Sequence, residues 1–130
     1  MNNLLTLTAV IETAAGLALV ALPSVPVRLL FGSSLDTSTS LTVGRWAGAA
    51  LLAMGVVCWL ARHDGQSRAA TGLVAAILLY NLAIVVLFAY AGLGSGLVGV
   101  ALWPAVVLHA AMAAWCIACL RSKRVTARGQ

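Results

Sequence analysis

Leu4-Leu-Thr-Leu-Thr-Ala-Val-Ile-Glu12-Thr-Ala-Ala-Gly16-Leu-Ala-Leu-Val-Ala-Leu22 is the stretch on which the reading of this chain turns. It is apolar apart from three threonines and a single carboxylate. A membrane helix needs roughly 20 apolar residues to cross a hydrocarbon layer of about 30 Å, and this run has that length. Inside such a layer an ionisable side chain is costly, so Glu12 is expected to face a polar partner rather than lipid. A secretory signal reading fails. Met1-Asn2-Asn3 carries no basic side chain, and Glu12 interrupts what would be the apolar core.

The rest of the chain has the same character. Of its 130 residues 62% are hydrophobic and 8% charged, with a mean hydropathy of +1.04. Soluble domains carry about 25% charged residues, and so short a chain has no interior large enough to hide this much apolar surface from water. The expected solvent is lipid, and the expected fold is all-α: a single integral-membrane four-helix domain spanning 1–130.

Span one covers about 4–22 and ends at Pro23 and Pro26, because proline cannot donate to the helix ladder and restricts the residue before it. Pro26 to Gly32 reads as a short surface-lying piece with Arg28 at the headgroups. In the polar loop 33–40, Asp36 or Ser38 is expected to cap the next helix. Span two covers about 41–61, span three 69–91 and span four 97–120. Arg62 to Arg68 forms a polar turn and Gly92 to Gly96 a connector. Pro104, near the start of span four, either sits in its first turn or kinks it.

Four spans put both termini on one side. That side holds six basic residues: Arg62, Arg68, Arg121, Lys123, Arg124 and Arg128. The other holds Arg28 and Arg45, offset by Asp36. The positive-inside rule makes the richer side cytoplasmic. Beside a membrane helix, a basic tail answers to the anionic leaflet rather than to nucleic acid. Trp46, Tyr90 and Trp103 near the outer ends, with Trp59 and Trp115 toward the inner ends, form the expected interfacial belts.

Helical spacing groups Thr8, Glu12, Ala15, Gly16 and Leu19 on one small, polar face of span one. Gly44, Gly48 and Gly55 form a strip on span two that predicts close helix packing. Ala105, His109, Met112, Ala113 and Cys116 share a face of span four. At 1.5 Å per residue Glu12 lies roughly 12 Å, and His109 roughly 16 Å, from the cytoplasmic ends. They are therefore a candidate pair, to be joined, if their faces meet, by a hydrogen bond or a shared proton. Arg45 leans toward the outer headgroups. Asn81, near mid-depth on span three, lies among bulky residues and either meets its partner there or faces a second protomer. Glu12, His109, Asn81 and Arg45 are the candidate ligand or proton sites.

Cys58, Cys116 and Cys119 all lie in apolar runs. An odd number in such places argues against a disulfide framework. A metal site would need a fourth donor at their level, and His109 is roughly 10 Å deeper than Cys116, so the thiols read as packing and no metal is expected. No nucleophile–base–acid constellation appears, and no cofactor is implied.

Two resemblances add to this reading. Leu29-Leu30-Phe31-Gly32 after a proline-ended first helix, and Arg45-Trp46-Ala47-Gly48 opening a Gly/Ala-rich second helix, resemble the small DoxX-like membrane proteins of bacteria. That likeness implies a four-helix inner-membrane fold and no particular activity. Ala9-Val-Ile-Glu12-Thr13 is similar in position to the helix-one carboxylate of the small multidrug resistance exporters, which implies proton-coupled export through Glu12.

The leading expectation is a non-enzymatic, multi-pass inner-membrane protein. It either binds a small lipophilic ligand or serves as a subunit of a larger assembly, with the bilayer and a homo-oligomer or membrane complex as partners. Proton-coupled transport of a lipophilic or cationic solute ranks second and an enzyme third. Transport requires Glu12 to face a wet cavity, whereas an assembly role requires a dry, satisfied Glu12. The orientation is open to direct measurement. A reporter that fluoresces only in the cytoplasm, fused after Gln130, is expected to light up, and a dark fusion with an active periplasmic reporter would reverse the assignment.

Overall fold

Leu22 precedes Pro23 and takes φ −138° and ψ 65°, outside the α region, as a residue ahead of proline is pushed to do. The first long helix ends there. The computed structural model describes residues 1–64 and 67–128, with side chains to Lys123. Gly65 and Gln66 in the polar turn, and the side chains of Arg124 and Arg128 in the basic tail, lie outside the described residues. These residues form five helices and the fold is all-helical: α1 Asn2–Ala21, α2 Ser24–Phe31, α3 Ser38–Ala61, α4 Arg68–Leu93 and α5 Leu102–Arg128. Four of them are long and apolar enough to cross a membrane, the pattern of a multi-pass membrane protein.

The short piece expected at Pro26–Gly32 is a helix, α2, which begins two residues earlier. Pro26 falls in its first turn, where a missing N–H costs nothing. Gly32 ends it with φ 74°, a left-handed conformation that glycine takes without steric penalty. The cap of α3 is neither Asp36 nor Ser38. Thr37 takes that place in a capping box with Ser40, so the helix starts at Ser38 rather than Leu41. Ser67 caps α4 by accepting from the Ala70 N–H at 3.0 Å.

Span four also starts later than its hydropathy suggests, at Leu102 instead of 97. The intervening backbone is used elsewhere. The Gly99 and Ala101 N–H groups donate to the Leu30 and Leu29 carbonyls at 2.9 Å. Those carbonyls belong to the last turn of α2, which has no helical donors for them. A side chain at position 99 would run into the Leu29 carbonyl, so this dock requires glycine. Pro104 sits in the first turn of α5.

The long helices associate chiefly as two pairs, α1 with α3 and α4 with α5. The α1–α3 contact is backbone against backbone. A Cβ on Gly16 would lie 2.7 Å from the Gly48 carbonyl, and one on Gly48 would lie 2.8 Å from the Gly16 carbonyl. Gly55 abuts Thr13 and Ala9 farther along. The glycine strip therefore does what its spacing predicts, letting two helices approach where lipid gives no hydrophobic drive between them.

The two pairs share one buried core. Leu4, Leu5 and Ala9 of α1 meet Cys58 of α3, Val74 and Ile77 of α4, and Met112 and Cys116 of α5. Met1, Ala61, Cys119 and Leu120 pack against the same cluster, so the start of α1 and the last third of α5 lie at one end. Cys58, Cys116 and Cys119 are free thiols, the first two fully buried. They fill space as small apolar groups. At the same end the Lys123 ammonium donates to the Thr71 hydroxyl at 2.9 Å, tying α5 to α4.

The glycine contact predicts a contrast between two substitutions. Gly48→Leu should destabilise the protein in thermal unfolding by about 1–3 kcal/mol, the usual cost of overpacking. Gly72→Ala, whose added Cβ meets nothing within 4 Å, should stay within about 0.5 kcal/mol of wild type. Equal losses at both positions would show that the α1–α3 approach is not the sensitive contact.

Candidate functional site

Where α1 meets the α4–α5 pair, four polar side chains come together in an otherwise apolar interior. Three helices supply them: Glu12 from α1, Tyr80 and Asn81 from α4, and His109 from α5. Glu12 is 4% exposed and Asn81 2%. The Tyr80 hydroxyl donates to Glu12 Oε2 at 3.4 Å. His109 Nδ1 and Asn81 Oδ1 are 2.8 Å apart. The second bond is at the optimum length and the first at the long end of the range, so the second is the stronger.

The candidate Glu12–His109 bond is therefore replaced by two others. Both residues reach the same seam, but each is partnered by α4. Tyr80 bridges them: its ring packs edge-on to the His109 ring, 5.8 Å between centroids at 79°. Phe88 does the same from one side at 6.1 Å and 88°, and Phe31 of α2 stands edge-on to Phe88 at 5.4 Å. These contacts have the edge-to-face geometry that aromatic rings favour. A string of rings thus leads from the short helix α2 to the Glu12 carboxylate.

Asn81 does not face outward to a second protomer. Its side-chain amide donates to the Ile77 carbonyl at 2.8 Å, which turns Oδ1 toward His109. An amide oxygen only accepts, so His109 Nδ1 carries the proton. That fixes the tautomer and leaves Nε2 as the acceptor of the neutral ring.

Thr8 lies one turn before Glu12 on the same face of α1. Its hydroxyl is buried and has no hydrogen-bond partner among the described residues. Arg45 stands apart from this cluster. It is exposed, and its Nε donates to the Val20 carbonyl at 3.3 Å, at the end of α1. Among the described residues, no group of three or more His, Cys, Asp or Glu side chains is placed to hold a metal ion.

Tyr80 is the site residue that the sequence reading did not single out, and Thr8 entered it only as a neighbour of Glu12 on one face of span one. A signal for Tyr80 was present. Tyr80 lies ~18 Å along α4 from Arg68, away from the interfacial belts where tyrosine is ordinarily found, and a buried phenol there needs an acceptor. In comparisons with known proteins, no family model matches the chain, and no curated protein or solved structure matches it significantly.

Two double-mutant cycles test the pairing in thermal unfolding. Asn81→Ala with His109→Phe should show a coupling of about 0.6 kcal/mol or more, the measured average for bonds between membrane helices, up to the measured maximum of about 1.7 kcal/mol. Glu12→Gln with His109→Phe, which meet only through Tyr80, should show a smaller coupling than that pair. The reverse pattern would mean that Glu12, not Asn81, is the partner of His109.

Proposed function

We propose that this chain is a non-enzymatic multi-pass protein of the bacterial inner membrane, with both termini cytoplasmic, that binds a small lipophilic ligand in the seam between its helix pairs. One observation carries the reading: polar side chains from three helices converge at mid-span, at the boundary between two pairs that pack far more closely within themselves than against each other. Ionisable groups kept inside a membrane mark function more often than those of soluble cores. The buried Thr8 hydroxyl supports the same reading, since an unmatched polar atom costs about 1–3 kcal/mol and a ligand's polar group could satisfy it.

The ligand this chemistry fits has an apolar body and one or two hydrogen-bonding groups. The Phe88, Tyr80 and His109 rings offer edges and faces to the body. Glu12, Thr8 and Nε2 of His109 offer acceptors to the polar end. A proton-coupled transporter would need Glu12 to meet water. Its 4% exposure and its Tyr80 partner speak against transport. The outline shared with DoxX-like proteins is compatible with this proposal and adds no activity to it.

1-Decanol, an apolar chain with one hydroxyl, is a suitable probe for the protein in lipid nanodiscs. Binding to the folded state should raise its stability with concentration, reaching about 2.7 kcal/mol at a hundredfold excess over Kd. Thr8→Val and Glu12→Gln should blunt the rise. Equal stabilisation of wild type and both variants would mean simple partitioning onto the lipid-facing surface, and the seam reading would fall.

A further inference from the structure

The break between α1 and α2 opens a groove lined by Ala21, Leu22, Pro23, Val25, Leu41 and Arg45. It is remote in kind from the polar seam: its floor is apolar and its rim holds a cation. Arg45 lies four residues inside the apolar stretch of α3 that begins at Leu41, so its Cα sits roughly 6 Å below the outer end of that stretch. Helical side chains tilt toward the N-terminus, here the outer end, and a long arginine extends along that direction. Its guanidinium therefore reaches headgroup level while its stem stays in hydrocarbon. The neighbouring Trp46, 70% exposed, is of the type that settles at the same boundary.

At that level Arg45 is under-used. A guanidinium has five N–H donors. The acceptor the fold gives it is a neutral carbonyl, that of Val20, reached by Nε at 3.3 Å. This bond anchors the side chain over the end of α1 and points the fork beyond it. The N-terminus of α2 opens on the same groove at Ser24, and its partial positive charge has the same sign as Arg45. A cation held at headgroup depth beside an apolar trough matches one abundant molecule in both respects.

We propose that this groove holds one anionic phospholipid, its phosphodiester on the Arg45 guanidinium and an acyl chain along Ala21, Leu22, Val25 and Leu41. Guanidinium and phosphate pair through parallel charge-assisted hydrogen bonds, which fix the headgroup as well as attract it. The occupant is an anionic rather than a zwitterionic lipid because a zwitterionic head brings its own cation to compete for the phosphate. The site is independent of any ligand in the polar seam.

The test is native mass spectrometry of the full chain, released from micelles containing equal amounts of phosphatidylglycerol and phosphatidylcholine with the same acyl chains. Wild type should retain one phosphatidylglycerol in preference to phosphatidylcholine. Arg45→Gln should reduce that retention roughly tenfold, the loss of one charged hydrogen-bonded contact. Arg45→Lys should keep part of it. Because Arg45 also holds the Val20 carbonyl, a second variant guards against misfolding: Ala21→Trp fills the trough, leaves Arg45 in place and should also release the lipid. Unchanged selectivity in Arg45→Gln or in Ala21→Trp would overturn the proposal. So would displacement of the lipid by an equal concentration of inorganic phosphate, which would reveal an anion site with no use for the acyl chain.

Discussion

The close approach of α1 and α3 at Gly16 and Gly48 is the contact on which the remaining geometry depends. Each glycine leaves room for the other's carbonyl, and the pair fixes the rotation of α1 about its own axis. With Ala9, Thr13, Gly16 and Val20 turned to α3, Glu12 and Thr8 lie beside that face, at roughly 60° or more around the helix by its 100° per residue. They are thereby presented to the α4–α5 pair. A bulkier residue at either glycine would separate or rotate the helices and withdraw the carboxylate from Tyr80.

The polar seam is then a problem of satisfaction rather than of attraction. In hydrocarbon the cost lies in leaving a polar group alone, and the gain from pairing it is small. Asn81 solves this locally by donating to Ile77 and offering its oxygen to His109. Tyr80 offers Glu12 a single long bond, and the Thr8 hydroxyl has none among the described residues. Satisfaction is therefore graded across the seam, closer at α4–α5 and looser at α1. The loose side is where an incoming polar group would gain most.

The opposite end of the bundle is held differently. There α2 and the segment before α5 satisfy one another through backbone bonds, with Gly32 and Gly99 allowing the approach. Phe31 hangs from this dock onto Phe88, which touches His109. The short helix α2 is thus packed, ring by ring, onto the buried polar cluster. Movement of α2 has a direct steric route to that cluster.

The number of long apolar helices, the break after α1, the short piece that follows it and the α3 glycine strip were legible in the sequence, because hydropathy, proline and small-residue spacing act over a turn or two of chain. Glu12, His109 and Asn81 stood out as polar groups in apolar runs for the same reason. Their partners did not. Which side chains meet depends on how far each helix is rotated about its axis, and that rotation is set by contacts such as Gly16–Gly48 between residues 32 apart in sequence. Depth alone made Glu12 and His109 a pair, yet Tyr80 stands between them. The late start of α5 was likewise hidden, since residues 97–101 are apolar enough for a helix and are held out of it by carbonyls of α2. The sequence by itself determined which stretches are long and apolar enough to span a membrane. Only the tertiary structure decided which of the polar residues in them touch, because that is a property of helix rotation and not of any single span.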